Sequence, residues 1–318
     1  MNIKRLLATS RQMIQFVGLA LISLTVGLVL AQSFTNVDAQ DAFQYRQNLE
    51  RGDYERQDMF GIWPIIVVAI NTFIPDHDPF VLVGGVTAAL FLFYSVNARP
   101  GWGRWAIFLV LLLMPLMSLN YGQVLRQGLA VAIIIAALMA NSFVIMTGLL
   151  MLAATLHSVY APFIALGLLR FYLFPSSAIG SGGQGIGRSA KRFDWMVFIL
   201  IPLAFVTLIY AAPEQMIQKY FEFDADNVKR LLVSALILAF IILVYPVGNQ
   251  RLTLFTTYFG LAVAFSLPFQ NDYTRINTAI FPLLVFAALL CEKPRRSYYA
   301  LGICFILTLY IGLRLDYN

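Results

Sequence analysis

Four ionisable side chains lie at the ends of apolar segments, where a charge is costly unless it is paired or has a function. They are Arg126, His157, Asp272 and Arg275. An arginine stays protonated, and its planar guanidinium fits a pair of phosphate oxygens. Histidine is the side chain best suited to take a proton near neutral pH. Two arginines from separate segments could together bind a diphosphate, and the histidine could accept a proton.

Arg126 belongs to a polar segment, residues 120–128, whose glycines would let a bulky ligand approach the backbone. Gln123 and Gln127 are four residues apart, so a single helix would carry both on one face. This polar stripe favours a binding role for Arg126 and Gln127. The alternative is an arginine that only reaches towards the lipid headgroups.

Two further polar segments precede apolar ones. His157 follows one apolar run directly, and a structural hydrogen bond is the alternative to a role as a base. Residues 270–275 bring a carboxylate, a phenol and a guanidinium into six consecutive positions. An ion pair between Asp272 and Arg275 is the alternative there. The hydrophilic stretch near the N-terminus adds Asp38, Asp41 and Tyr45.

Composition indicates what must position these residues. The chain of 318 residues is 60% hydrophobic and 12% charged, whereas a soluble domain is about 45–50% apolar and about 25% charged. We therefore predict an all-α, polytopic transmembrane helical bundle that forms one integral membrane domain, residues 1–318. Both cysteines, Cys291 and Cys304, lie in or beside apolar segments and are interpreted as small packing residues, so the two histidines have no partners for a zinc cluster. Most basic residues border apolar segments, which argues against nucleic-acid binding.

The apolar segments predict about eleven spanning helices. They cover residues 13–31, 80–96, 104–119, 122–140, 143–156, 159–174, 194–212, 231–247, 252–268, 276–291 and 297–313. A short segment, residues 61–74, is predicted to be a re-entrant or interfacial helix. With that assignment the inner side holds 13 of the 22 basic residues and two acids, as expected of a cytoplasmic face.

The same assignment fixes the loops. Residues 32–60 form an outer loop, and residues 175–193 form a flexible inner loop whose glycines lack the signature of a phosphate-binding loop. The N-terminus is then inside and the C-terminus outside. The four ionisable residues at the ends of apolar segments, Arg126, His157, Asp272 and Arg275, then fall on the outer side with the loop 32–60.

The order of these motifs resembles the EpsG family of membrane proteins, relatives of the Wzy-type polysaccharide polymerases of bacteria. Leu125-Arg126-Gln127-Gly128-Leu129-Ala130 opens a helix, and Leu156-His157-Ser158 follows before another helix. The sequence departs from the family's pattern at Asn141-Ser142, where relatives often carry lysines.

The resemblance implies a glycosyltransferase that joins oligosaccharide repeat units carried on a polyprenyl diphosphate, at the outer face of the bacterial inner membrane. The product would be exopolysaccharide, capsule or O-antigen. The implied partners are this lipid-linked substrate, membrane lipid and other polysaccharide assembly proteins. The resemblance implies no cofactor, neither a nucleotide sugar nor a metal.

Site roles follow from the resemblance by position. Arg126 and His157 match the family's residues, and Asp38, Asp41, Tyr45 and Arg275 match more loosely. Arg126 and Arg275 would bind the diphosphate, assisted in substrate binding by Gln127, Asp38, Tyr45 and Asp272. His157 would be the base or orient the acceptor, with Asp41 as the alternative base.

Three other functions stay open from the sequence. A transporter or flippase of lipid-linked sugar would need the same headgroup contacts, but also charges near the middle of the membrane, which are scarce here. A polysaccharide O-acyltransferase would also use a histidine. A scaffold of the assembly complex would tolerate substitution of the polar segments.

Overall fold

A computed structural model describes residues 3–34, 47, 62–75, 78–98, 100–174, 184–211, 227–245, 250–267 and 273–312. This part of the chain folds into thirteen α-helices and contains no β-strand. In chain order they are α1 (Ile3–Phe34), α2 (Trp63–Phe73), α3 (Pro79–Asn97), α4 (Trp102–Leu113), α5 (Pro115–Gly122), α6 (Leu125–Met139), α7 (Phe143–Leu156), α8 (Ala161–Leu173), α9 (Gln184–Ala211), α10 (Asn227–Val244), α11 (Gln250–Ser266), α12 (Tyr273–Leu289) and α13 (Pro294–Gly312). A 3₁₀ turn, Ser158–Tyr160, connects α7 to α8.

The predicted all-helical class is confirmed, but the count of about eleven spans is not. Within the described residues, two helical stretches are long and apolar enough to cross a bilayer, Gln12–Phe34 and Pro79–Asn97. A third is present if the bent pair α4 and α5 forms one span. Helices such as α6 and α7 have 15 and 14 residues. They are therefore about 22 Å long, shorter than the hydrocarbon core of about 30 Å.

The predicted span over residues 104–119 is interrupted. Its two halves, α4 and α5, meet at an angle of 61° next to Pro115, which lacks the backbone N–H of a continuous helix. In an unbroken helix Leu116 N–H would donate to the carbonyl of Leu112. Here that carbonyl accepts from Tyr121 OH at 2.8 Å, and Leu116 N–H donates to Thr308 Oγ1 at 3.4 Å. Side chains thus replace the backbone hydrogen bond lost at the break.

Close backbone packing joins α1 to α3. A Cβ atom on Gly27 would collide with the carbonyl oxygen of Gly85 and lie 2.7 Å from the nitrogen of Ala89. Glycine therefore permits a helix approach that a side chain would prevent. The other faces of α1 expose large apolar side chains, including Phe16 and Ile22. In a membrane protein such surfaces are suited to contact with lipid.

The short segment predicted over residues 61–74 contains the helix α2, which has 11 residues. At about 16 Å it is too short to cross the hydrocarbon core of about 30 Å. Trp63 and Val67 are buried, and α2 packs against α3. Residues 35–46 and 48–61, most of the predicted outer loop 32–60, lie outside the described residues.

The second half of the predicted inner loop 175–193 is helical, because α9 already begins at Gln184. Asp194 on this helix is buried and forms a bidentate ion pair with Arg170 of α8, with N–O distances of 2.7 and 3.3 Å. Tyr258 OH of α11 donates to the same carboxylate at 2.6 Å. This network joins three helices, α8, α9 and α11.

Contacts between helix termini define two ends of the described bundle. At the first, the Arg251 end, Arg251 Nη1 donates to the carbonyl of Ala140 at 2.9 Å. Arg104 Nη1 donates there to the carbonyl of Cys291 at 2.8 Å. The second, the His157 end, is formed by the α5–α6 and α7–α8 turns and the start of α12. Exposed basic side chains gather at the Arg251 end: Lys191, Arg192, Lys293 and Arg295.

The buried ion pair predicts a large effect of single substitutions. Asp194→Ala leaves the Arg170 guanidinium buried without its carboxylate and should lower stability by about 3–5 kcal/mol. Lys191→Ala, at an exposed position of the same helix, should change it by less than about 0.5 kcal/mol. Thermal unfolding of the purified protein in detergent measures both. Equal unfolding midpoints for the two variants would contradict a stabilising role of the network.

Candidate functional site

A tight turn between α5 and α6 positions Arg126. The N–H groups of Gln123 and Val124 both donate to the carbonyl of Leu119, at 3.0 and 2.7 Å. This pair of hydrogen bonds marks the end of α5. Helix α6 then starts at Leu125, so Arg126 lies in its first turn and is half-buried. A guanidinium at this point adds to the positive end of the helix dipole. The turn therefore forms a cationic helix start.

Gln127 follows Arg126 in the same turn and is buried, with 4% of its surface exposed. The predicted polar stripe of Gln123 and Gln127 on one helix face is wrong. Gln123 belongs to the turn, because α5 ends at Gly122 and a new helix begins at Leu125. Only Gln127 shares α6 with the arginine.

The start of α6 lies directly against the end of α5. A Cβ atom on Gly128 would overlap the carbonyl oxygen of Asn120 and come within 2.5 Å of its carbonyl carbon. These atoms are backbone, so they cannot move aside as a flexible side chain would. Glycine at position 128 is required for this approach.

Asn120 also connects α5 to α12. Its side chain is fully buried, and Nδ2 donates to the carbonyls of Leu116 and Thr278 at 2.9 and 3.0 Å. The second carbonyl needs such a donor. In a regular helix the N–H of residue 282 would bind it, but residue 282 is Pro282, which has none. The Asn120 amide thus replaces a hydrogen bond that α12 cannot make for itself.

The α7–α8 turn docks on the neighbouring carbonyl of α12. Tyr160 is fully buried and its OH donates to the carbonyl of Ala279 at 3.1 Å. His157 caps α7 through its N–H, which donates to the carbonyl of Ala153 at 3.0 Å, and its ring centroid lies 5.6 Å from that of Tyr160. The imidazole is half-buried. Tyr160 therefore fixes the turn that carries His157.

Three of the segments singled out by sequence accordingly meet at one place. Consecutive carbonyls of α12 receive Asn120 and Tyr160, from the segments that carry Arg126 and His157. The third segment is the first turn of α12 itself, where Arg275 lies three residues before Thr278. Two helices that begin with an arginine in their first turn, α6 and α12, thus start at the same end. Such an arrangement suits an anion.

The structure leaves part of the predicted site outside its described residues. These are Asp38, Asp41, Tyr45 and Asp272, together with the side chain of Arg275. Among the residues that are described, no group of three His, Cys, Asp or Glu side chains could hold a metal ion.

The two residues that join the segments of the site, Asn120 and Tyr160, were not predicted from the sequence. Asn120 and Tyr160 carry no ionisable group with a useful pKa near neutrality, so neither was assigned a role. Pro282 inside a helix was the available signal, since it frees the carbonyl four residues earlier. That signal predicts that a donor is needed at Thr278, but not which residue supplies it.

Comparison with known proteins gives one match. The family model of the EpsG family matches residues 17–317, nearly the whole chain. Searches of curated proteins and of solved structures found no match.

The contact at Gly128 predicts contrasting effects of two glycine substitutions. Gly128→Ala should lower stability by about 1–3 kcal/mol, because the added methyl overpacks against the backbone of Asn120. Gly148 lies in the middle of α7, where an added Cβ atom would have no atom of another element within 4 Å. Gly148→Ala should therefore be neutral or stabilising by up to about 1 kcal/mol. Thermal unfolding in detergent compares the pair. A Gly128→Ala protein as stable as the Gly148→Ala protein would refute the close approach of the two helices.

Proposed function

Because the chain belongs to the EpsG family and is a membrane protein of polysaccharide biosynthesis, we propose that it is a polymerase of lipid-linked oligosaccharides. Its substrate is an oligosaccharide repeat unit on a polyprenyl diphosphate, and its product is exopolysaccharide, capsule or O-antigen. The reaction takes place at the outer face of the bacterial inner membrane. The His157 end of the bundle faces outwards, and the basic Arg251 end faces the cytoplasm, in line with the positive-inside rule.

One observation carries this proposal: the segments of Arg126 and His157 both dock on the start of α12, the helix that carries Arg275. Binding of a lipid diphosphate needs cations near the membrane surface, and two arginines provide charges that persist at any physiological pH. Gln127, buried beside Arg126, adds an amide for the diphosphate or the sugar. Asp38, Tyr45 and Asp272 complete the substrate-binding set.

The proposed reaction is a single transfer of a glycosyl group. A hydroxyl of the acceptor sugar attacks the anomeric carbon of the donor, a new glycosidic C–O bond forms, and the bond to the lipid diphosphate breaks. The diphosphate leaves with the bonding electron pair, and Arg126 and Arg275 stabilise the charge that develops on it. His157 accepts the hydroxyl proton or orients the acceptor, with Asp41 as the alternative base.

This proposal assigns different chemistry to the two ends of the bundle. The proposed glycosyl transfer requires a base and two cations at the His157 end. The Arg251 end takes no part in the reaction. A flippase would instead need charged groups along a path between the two ends. The buried ion pair between Arg170 and Asp194 links α8 to α9, and each charge neutralises the other.

Polymer length in cells tests the proposal. In a strain that lacks the protein, Arg126→Ala should restore polymer about 10²–10³-fold less well than wild type, because one cation no longer stabilises the leaving diphosphate. His157→Ala should reduce the rate by about 10²–10⁴-fold if its imidazole is the base. Arg295→Ala, at an exposed position of the Arg251 end, should give normal polymer. Gel analysis of the polysaccharide at matched membrane levels measures all three.

The location of unused substrate separates the competing functions. Repeat units that accumulate on lipid at the outer face indicate a polymerase. Accumulation on the inner leaflet would show that the protein moves lipid-linked sugar instead. Normal polymer in both the Arg126→Ala and the His157→Ala strains would remove these residues from the site.

A further inference from the structure

A proline inside a helix removes one backbone hydrogen bond, and in α12 a side chain from a distant part of the sequence replaces it. Pro282 has no N–H, so the carbonyl of Thr278 lacks its helical donor. In a water-free interior such a carbonyl must be satisfied by another group. Asn120 Nδ2 supplies that hydrogen bond at 3.0 Å across 158 residues of sequence. The proline and the asparagine therefore form one joint between α5 and α12.

The chemistry of the amide sets its orientation in this joint. Both acceptors, at Leu116 and Thr278, are backbone carbonyls, and only the amide nitrogen can donate to them. The nitrogen has two hydrogens, one for each carbonyl. Asn120 Oδ1 is buried, and none of the described residues donates to it. No aliphatic residue of similar size can make this pair of contacts.

The backbone of Asn120 makes the second half of the connection. Its carbonyl oxygen occupies the position that a Cβ atom of residue 128 would take, two residues after Arg126. Its side chain binds Thr278, three residues after Arg275. One residue therefore contacts both helix starts that carry the proposed diphosphate-binding arginines, and it lies between them.

We infer that Asn120 is a positioning residue that holds the starts of α6 and α12 at the separation required to bind a lipid diphosphate, through the carbonyl that Pro282 leaves without a helical donor. This inference rests on the proposed function, since it concerns the two arginines assigned to the diphosphate there. Asn120 does not touch the substrate. It acts through the backbones that carry Arg126 and Arg275.

If Asn120 only stabilised the fold, its substitution would change stability and diphosphate binding together. A test of positioning must therefore change one without the other. Pro282→Ala offers the means, because it restores an N–H at position 282 that can donate to Thr278 within α12. In that background the carbonyl no longer needs Asn120. Asn120→Ala/Pro282→Ala should therefore recover the stability that Asn120→Ala loses, while the hydrogen bond between α5 and α12 remains absent.

The experiment measures two quantities on the purified protein in nanodiscs: the thermal unfolding midpoint, and the Kd for farnesyl diphosphate, a short polyprenyl diphosphate. We expect Asn120→Ala to lower the midpoint and to weaken binding about tenfold, a change of about 1.4 kcal/mol. The double variant should recover most of the midpoint but keep the weakened Kd. Asn120→Ala/Pro202→Ala, which removes the proline inside α9 instead, should recover neither. Asn141→Ala, at an exposed position, should behave as wild type.

Other results of this experiment would contradict the positioning role or the proposed function. A wild-type Kd in Asn120→Ala, together with lost binding in Arg126→Ala, overturns the positioning role and leaves the proposed function standing. Recovery of the Kd along with the midpoint in the double variant also overturns it, because the asparagine would then act on stability alone. Unchanged binding in Arg126→Ala overturns the proposed diphosphate site, and the positioning role with it. No recovery of the midpoint in the double variant contradicts the joint itself.

Discussion

A carbonyl oxygen buried among apolar helices needs a hydrogen-bond donor, because no water competes for it and an unsatisfied group costs several kcal/mol. This constraint applies at two prolines: Pro115, where α4 and α5 meet, and Pro282, inside α12. At Pro115 the lost helical bond between residues 112 and 116 is replaced by Tyr121 and Thr308. At Pro282 the carbonyl of Thr278 is satisfied by Asn120. The contacts of Asn120 and Thr308 join these helices to segments remote in sequence, whereas Tyr121 lies nine residues from the carbonyl that it binds.

These replacements explain how short helices form a defined site. The bend of 61° between α4 and α5 ends the first half of the predicted span and turns Asn120 towards α12. The next carbonyl of α12 accepts Tyr160, which brings the turn of His157 to the same helix. Gly128 then lets α6 begin directly against Asn120. The polar segments are thus joined through backbone carbonyls.

The two ends of the bundle solve the problem of charge in different ways. At the Arg251 end, arginines make structural contacts. Arg104 and Arg251 donate to helix-terminal carbonyls, and Arg170 pairs with Asp194. Basic groups near helix C-termini are also favoured by the dipole. At the His157 end, Arg126 and Arg275 lie in the first turns of helices, where a cation is disfavoured by the same dipole. A bound anion would remove that penalty, which is the physical reason for placing the proposed diphosphate at this end.

Composition, the apolar segments and the placement of charge were sufficient to predict an all-helical membrane protein. The Arg126 and His157 motifs were sufficient to indicate its family, because they depend on local sequence. The span count and the continuous helix over residues 104–119 were not predictable in the same way. Whether Pro115 bends or ends a helix depends on donors as distant as Thr308. The same holds for the site: sequence identified Arg126, His157 and Arg275 as candidates, but only tertiary structure showed that Asn120 and Tyr160 bring their segments together. Hydrogen bonds across 158 and 119 residues depend on how the helices pack, and no local pattern in the sequence encodes that packing.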